Sequence, residues 1–336
     1  MLDSISIIVP VYNSTKTLKV LHDRLITSVT PLCNRYEIIL IDDGSEDASW
    51  DCIEEIISNN SAVRGLRLMR NFGQHNALLC GIRKAKSEVI VTIDDDLQNP
   101  PEEICKLLAK LEEGYDVVYG TPIKRKQNLW RSISASLTRI ALKSAMGVET
   151  ASSVSAFRAF RTCIREAFSE YNGPFVSIDV LLSWGSTAFS SVPVKHEPRK
   201  AGCSNYTFYS LISHALDMMT GFSTRPLRVS SIMGFLFTIF GVGVLLYVII
   251  RYLALGYSVP GFPFLASIIS IFAGAQLFAL GIIGEYLARV HFRTMDRPAY
   301  VVRYEYDKEP KDSMGLDSTD TTSHLNDIST LKGTSP

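Results

Sequence analysis

The sequence predicts a parallel, doubly wound α/β domain followed by a pair of membrane-crossing helices. Three observations carry this. β-Rich runs alternate with amphipathic helical segments through the first third of the chain. Every one of those runs breaks into turn-forming or charged residues. Two long uncharged apolar blocks lie near the C-terminus.

Ser4–Val9 is the first β-rich run and ends at Pro10-Val-Tyr12-Asn13; a helix follows to about Ser28, with Asn13 or Ser14 as N-cap. Tyr36–Ile41 is the second and ends at Asp42-Asp43-Gly44-Ser45. The next helix, about Asp47 to Ser58, is amphipathic through Ile53, Ile56 and Ile57. Val63–Met69 is the third strand and ends at Arg70-Asn71-Phe-Gly73-Gln-His75, before a helix to about Ala85. Glu88–Ile93 is the fourth and breaks into Asp94-Asp95-Asp96. Pro100 and Pro101 then start a helix with Glu102 and Glu103 in its first turn, as helix N-termini favour.

Three adjacent anions repel one another, so a fold keeps them at a strand end when something neutralises them. A divalent cation does so, and Asp94 and Asp96 fall on one side of an extended backbone. The other reading is a solvated acidic turn. In a doubly wound sheet, ligands bind outside the carboxyl ends of the strands, where these four loops converge. The chain has no GxGxxG after its first strand and no GxxxxGK[ST], which removes dinucleotide redox enzymes and P-loop NTPases. Carboxylates, a metal and an arginine without a P-loop suit a nucleoside diphosphate carrying a further group.

Composition narrows the class further. At 336 residues there is room for one large domain or two smaller ones, and 34 basic against 34 acidic residues argue against a nucleic-acid partner. The six cysteines are scattered without zinc spacing, as in a reduced compartment. Met1-Leu-Asp-Ser leads straight into a strand, without a secretory signal.

Tyr115–Gly120 reads as a further strand, followed by the basic loop Lys124-Arg125-Lys126. Leu129–Met146 is a basic amphipathic helix that fits either an anionic membrane surface or the protein core. Ser190–His196 alternates like a strand and leads to Arg199-Lys200-Ala-Gly202-Cys-Ser204-Asn-Tyr206, a loop suited to an anion or simply solvated. Val229–Tyr252 and Phe264–Ile283 approach the ~20 apolar residues that span a bilayer, joined by Gly256–Pro263 as a short turn. Arg225 and Arg228 flank the entry, and Arg289, His291, Arg293 and Arg297 the exit, which places both ends in the cytoplasm, with Arg251 a mild exception. Small residues at Ser270/Gly274 and Ala275/Ala279 would let the two helices pack closely. The expected organisation is a cytosolic domain over 1–227, a two-helix hairpin over 228–290 (helices about 229–252 and 263–284) and a cytosolic segment over 291–336, its tail disordered from about 307.

Together, Ile8-Val-Pro10-Val-Tyr12-Asn13, Ile41-Asp42-Asp43-Gly44-Ser45, Arg70-Asn71-Phe-Gly73-Gln74-His75 and Asp94-Asp-Asp96-Leu-Gln98-Asn-Pro100-Pro101 resemble glycosyltransferase family 2 enzymes of the Rossmann-like GT-A fold. Within that family the chain is similar to the polyisoprenyl-phosphate glycosyltransferases. The resemblance covers about residues 4 to 300, including Gly284-Glu285-Tyr286, and looks most like the aminoarabinose branch.

It implies inverting transfer of a sugar from a nucleotide-sugar donor, UDP-linked, to polyprenyl (undecaprenyl) phosphate. The implied setting is the cytoplasmic face of an inner membrane, and relatives often assemble as tetramers. Pro10, Tyr12, Asn13, Asp42, Asp43, Arg70, Asp94 and Asp95 would bind the nucleotide, and Asp94 and Asp96 would hold Mg²⁺ or Mn²⁺. Asp96, Arg158 and Arg199 would be catalytic, with Arg199, Lys200, Ser204 and Tyr206 at the acceptor phosphate. Four positions depart from the family pattern. Ser14 stands where glutamate is usual, Asp95 where a small residue is common, and Asn205 where a lysine is. Thr150–Ala156 lacks a carboxylate and has Ser152, Ser153 and Ser155 instead. A phosphomonoester acceptor with a second pKa of about 6 is already mostly ionised, so it needs positioning more than a base. The alternative function is a catalytically inactive membrane-anchored homologue that binds nucleotide sugar or a partner.

Overall fold

The computed structural model describes residues 2–123, 154–173, 176–197, 224–255 and 261–307. Four β/α units come first: β1 (Leu2–Val11), α1 (Thr15–Val29), β2 (Cys33–Asp42), α2 (Ser49–Asn59), β3 (Val63–Leu68), α3 (Gln74–Lys84) and β4 (Val89–Thr92). A 3₁₀ turn (Pro101–Glu103) carrying the two acids leads into α4 (Ile104–Glu112) and β5 (Val117–Pro122). Then follow β6 (Arg158–Arg161), α5 (Ile178–Gly185) and β7 (Phe189–Val194). The two long helices are α6 (Arg225–Leu255) and α7 (Gly261–Thr294), and a last strand, β8 (Val302–Tyr306), closes the described chain.

All eight strands form one sheet in the order β7-β5-β6-β4-β1-β2-β3-β8. β1 to β4 are parallel to one another, and β5 pairs in parallel with β7. The sheet is mixed, because β6 runs antiparallel between β4 and β5, and β8 antiparallel along β3. Alternation along β1 divides the core. Ile5, Ile7 and Val9 pack beneath α1, α2 and α4 on one face, while Ile8 meets α3 on the other. Because both faces are covered, the central strands read as continuous apolar runs.

The helices α6 and α7 are about 46 and 51 Å long at ~1.5 Å per residue, more than a ~30 Å hydrocarbon layer requires. Leu227–Arg251 and Ile271–Thr294 are long and apolar enough to cross a membrane, and the most apolar stretch of each is wholly unburied. A core helix of a soluble domain would bury that surface. Leu253 and Leu277 are instead 77% and 70% exposed. The helices meet where Phe237 and Phe240 pack on Phe272. A Cβ at Gly241 would lie 2.9 Å from the Phe272 ring, so a larger residue there would push that ring aside. Of the small residues expected at the contact, Ala275 and Ala279 line the interhelical groove, whereas Gly274 faces open space. The connector 256–260, the basic helix expected over Leu129–Met146 and the tail from 308 lie outside the described residues.

The segment after the hairpin departs from the expected organisation. It returns to the first domain: Ala299 is buried in its core, and Tyr304 and Tyr306 pack on Trp50. Glu305 pairs with Arg64 and Lys84.

Candidate active site

β4, β1, β2 and β3 lie side by side, and their carboxyl ends open on one cavity of about 250 Å³. Pro10, Val11 and Tyr12 line it from β1, and Asp43 from the loop after β2. Asn71, Gly73 and Gln74 enter after β3, and Asp94, Asp95 and Asp96 after β4.

Successive residues of a strand point to opposite faces, and this separates Asp42 from Asp43. Asp42 is wholly buried; the Ser45 N–H donates to its Oδ1 at 3.1 Å and the Arg67 Nε faces its Oδ2 at 3.3 Å. It therefore braces the loop from behind and does not line the cavity. Asp43 accepts the N–H groups of Phe72 and Gly73 at 2.7 and 2.8 Å, tying the β2 loop to the β3 loop while still facing the cavity. Burial pushes its carboxyl above the ordinary range against the pull of those two donors. Gly44 makes the approach possible: its φ is +71°, and a Cβ there would lie 2.6 Å from the backbone carbon of Arg70.

Asn13 also works from behind. With φ 53°, it presents Oδ1 to the N–H groups of Glu46 and Asp47 at 2.9 and 3.4 Å, and it does not line the cavity. Ser14 occupies the N-cap position of α1 without capping it. The Thr15 N–H is met at 3.3 Å by Asp47 of the neighbouring loop. Arg70 is exposed, its guanidinium 4.2 Å above the Phe72 ring, and its charge favours the ionised form of Asp43.

The strand carrying the acidic triplet stops at Thr92, so the extended backbone invoked for Asp94 and Asp96 is absent. A turn replaces it, with the buried Leu97 held at φ 60°, a conformation that a branched side chain adopts at a cost of order 1–3 kcal/mol. The three carboxylates diverge. Asp94 Oδ1 accepts the Gln74 side-chain amide at 2.6 Å, Asp95 Oδ2 accepts from the β1 loop, and Asp96 Oδ1 accepts the Gln98 N–H at 3.0 Å. All three border the cavity. Gln74 belongs to a motif recognised in the sequence but was not expected at the site. In the same motif, His75 Nδ1 accepts the Ile178 N–H at 3.4 Å, meeting one of the free N–H groups at the start of α5.

Arg158 is not in the cleft. It is 1% exposed on β6, its Nε donating to Thr92 Oγ1 at 3.1 Å and its Nη1 to Asp179. The Tyr119 hydroxyl donates to the same Asp179 oxygen at 3.1 Å. Burial raises the Tyr119 phenol well above its ordinary pKa, and the Asp179 charge adds to that. The structure places Arg158, expected at the site, in a core ion pair outside the cavity lining. Arg199, Lys200, Ser204, Tyr206 and residues 150–153 lie outside the described residues.

Comparison with known proteins agrees with this geometry. The family model described as glycosyl transferase family 2 matches residues 6–171. An undecaprenyl-phosphate 4-deoxy-4-formamido-L-arabinose transferase of Shewanella sediminis is 37% identical over 305 residues, 90% of this chain and 92% of that protein. One of the same name from Proteus mirabilis is 34% identical over 306 residues, 90% and 94% of the two chains. Among solved structures, glucosyl-3-phosphoglycerate synthase from Mycobacterium tuberculosis with Mn²⁺, uridine diphosphate and phosphoglyceric acid aligns at a TM-score of 0.48 and 18% identity, covering 65% of this chain and 76% of that one. At that distance it bears on neither substrate nor chemistry.

Proposed function

The chain belongs to glycosyl transferase family 2, and from that premise we propose that it transfers a sugar from a UDP-linked donor to undecaprenyl phosphate at the cytoplasmic face of a membrane. The observation that carries the acceptor is the 37% identity, over nine-tenths of the chain, to a transferase named for undecaprenyl phosphate. The donor rests on the cleft: four loops bring Tyr12 and the carboxylates of Asp43, Asp94, Asp95 and Asp96 to one cavity.

Tyr12, Pro10 and Asp43 form the nucleotide side, with Arg70 at its rim and Asn13 and Asp42 bracing the loops. Among the described residues no three His, Cys, Asp or Glu side chains group to hold a cation alone. Asp94 and Asp96 fit an ion that takes one or two carboxylates and completes its shell with phosphate oxygens and water, as Mg²⁺ does. Bound there, Mg²⁺ or Mn²⁺ supplies charge stabilisation to the departing diphosphate. Arg199, Lys200, Ser204 and Tyr206 are the acceptor-phosphate residues of this reading.

In the reaction, a phosphate oxygen of the lipid bonds to the anomeric carbon as that carbon's bond to the diphosphate breaks. The nucleoside diphosphate departs with the electron pair, and a single displacement inverts the centre. The acceptor is already mostly ionised at neutral pH, so the step needs no protein base. α6 and α7 hold the domain where a lipid substrate lives, and Arg228, Arg289, His291, Arg293 and Arg297 at one end of the hairpin support the cytoplasmic side.

The test is purified full-length protein in detergent, given labelled UDP-sugars, undecaprenyl phosphate and Mn²⁺. Label moving into the lipid phase is the expected result. No lipid-linked product from any UDP- or GDP-sugar overturns the reading, and metal-dependent UDP binding without turnover identifies the inactive homologue.

A further inference from the structure

Asp95 differs from its two acidic neighbours in what it holds. Its Oδ2 accepts two hydrogen bonds, from the Tyr12 N–H at 3.1 Å and the Ser14 hydroxyl at 2.5 Å. Both donors belong to the loop after β1, whereas Asp95 belongs to the turn after β4. Two lone pairs meet two donors, which leaves that oxygen with no capacity for a cation. The Ser14 hydroxyl also lies 3.1 Å from the Tyr12 carbonyl, but its single hydrogen serves the shorter contact with Asp95.

Among the described residues, the other hydrogen bonds to the backbone N–H groups of this loop come from the β2 and α2 side. The Asn13 N–H donates to Ser45 Oγ at 3.0 Å and the Ser14 N–H to Ser49 Oγ at 2.8 Å, both toward β2 and α2. Toward β4, Asp95 supplies the tie. At the residue it fixes, the backbone has left the β1 ladder, which ends at Val11, and the Tyr12 ring stands 46% exposed at the cavity.

We propose that Asp95 is a positioning residue for the nucleotide. Paired with Ser14, it latches the β1 loop to the acidic turn and so sets where the Tyr12 ring stands relative to the carboxylates. The proposal rests on the cleft being the nucleotide site and deepens that reading: one carboxylate of the triplet serves the loop, leaving the outer two for the donor's diphosphate end. The latch needs a hydrogen-bond acceptor, whereas a cation ligand or an electrostatic role needs the negative charge. Asparagine at this position keeps the acceptor and discards the charge.

The experiment is calorimetric titration of UDP, with and without Mn²⁺, into full-length detergent-solubilised protein and its variants, each checked by its melting temperature. Asp95→Ala is expected to weaken UDP binding at least about tenfold, and Asp95→Asn no more than about threefold. Ser14→Ala, which leaves the Tyr12 bond in place, should fall between wild type and Asp95→Ala. Adding Asp95→Ala to Tyr12→Ala should weaken binding no further, because the latch acts through that ring. Equal losses in Asp95→Asn and Asp95→Ala, confined to the titration with Mn²⁺, would overturn the latch in favour of a cation ligand. Additive losses in the Tyr12 pair would overturn it too, as would an unchanged UDP affinity in Asp95→Ala. No UDP binding by the wild type sinks the nucleotide reading itself, and the latch with it.

Discussion

Arg158 and Asp179 sit on one side of Thr92, sealed from water, while Asp94, Asp95 and Asp96, in the turn that follows the strand ending at Thr92, face an open cleft. Both groups consist of charged side chains in recognised motifs. The buried pair satisfies itself internally. Arg158 has Asp179 and Thr92, and the Tyr119 hydroxyl completes the ring of partners. The outer group turns its carboxylates to different partners, Gln74 of α3, the loop after β1 and Gln98 of its own turn, while all three residues line the cavity. A charge sealed in the core holds a fold together, and one that borders a cleft can meet a ligand.

The comparison breaks first at the buried pair. Arg158→Ala strands a carboxylate in the core and is expected to cost about 3–5 kcal/mol of stability. Denaturant unfolding of the detergent-solubilised protein would measure it. Replacing both partners with apolar residues (Arg158→Met with Asp179→Leu) should recover most of that loss, and failure to recover would mean the guanidinium has work outside the core. In the cleft the order reverses. Asp96→Asn should change the unfolding free energy by no more than about 0.5 kcal/mol, as at an accessible site. Its sugar transfer should fall at least about a hundredfold, or ~2.7 kcal/mol of barrier. Chelation by EDTA should abolish transfer and added Mn²⁺ restore it.

The smallest effect sharpens the contrast at Asp43, which is buried yet faces the cavity. Its carboxyl titrates above the 3.8 of an exposed aspartate, chiefly because burial disfavours the charge. The contribution to stability is therefore full below that value and lost as pH rises through the folded pKa. The stability advantage of wild type over Asp43→Asn should shrink between pH 4 and 7. An advantage that grows instead would mean the backbone N–H groups of Phe72 and Gly73 outweigh burial.

The loops of the cleft were legible because each follows a run of apolar residues that ends abruptly in polar ones, and a parallel sheet gathers such ends along one edge. Which residue of each loop faces the ligand was not. Asp42 and Asp43 are one letter repeated, and the pleat alone separates them. Arg158 reads as a site arginine until its partner is known, and Asp179 lies 21 residues away in an unrelated helix. β6 spans only four residues, too short for periodicity to betray an antiparallel strand. β8 carries a local signal, the alternation of Val302-Arg-Tyr-Glu-Tyr306, but the two long helices before it separate it in sequence from the sheet it completes.

That last strand bears on how the molecule is made. β8 is synthesised after both α6 and α7, yet it covers β3 from Gly65 to Leu68. The ribosome must therefore finish the hairpin before the sheet can close, and a fragment cut before α6 would carry a bare β3 edge open to other chains. For this protein, settling into the bilayer and completing the catalytic half belong to a single assembly event.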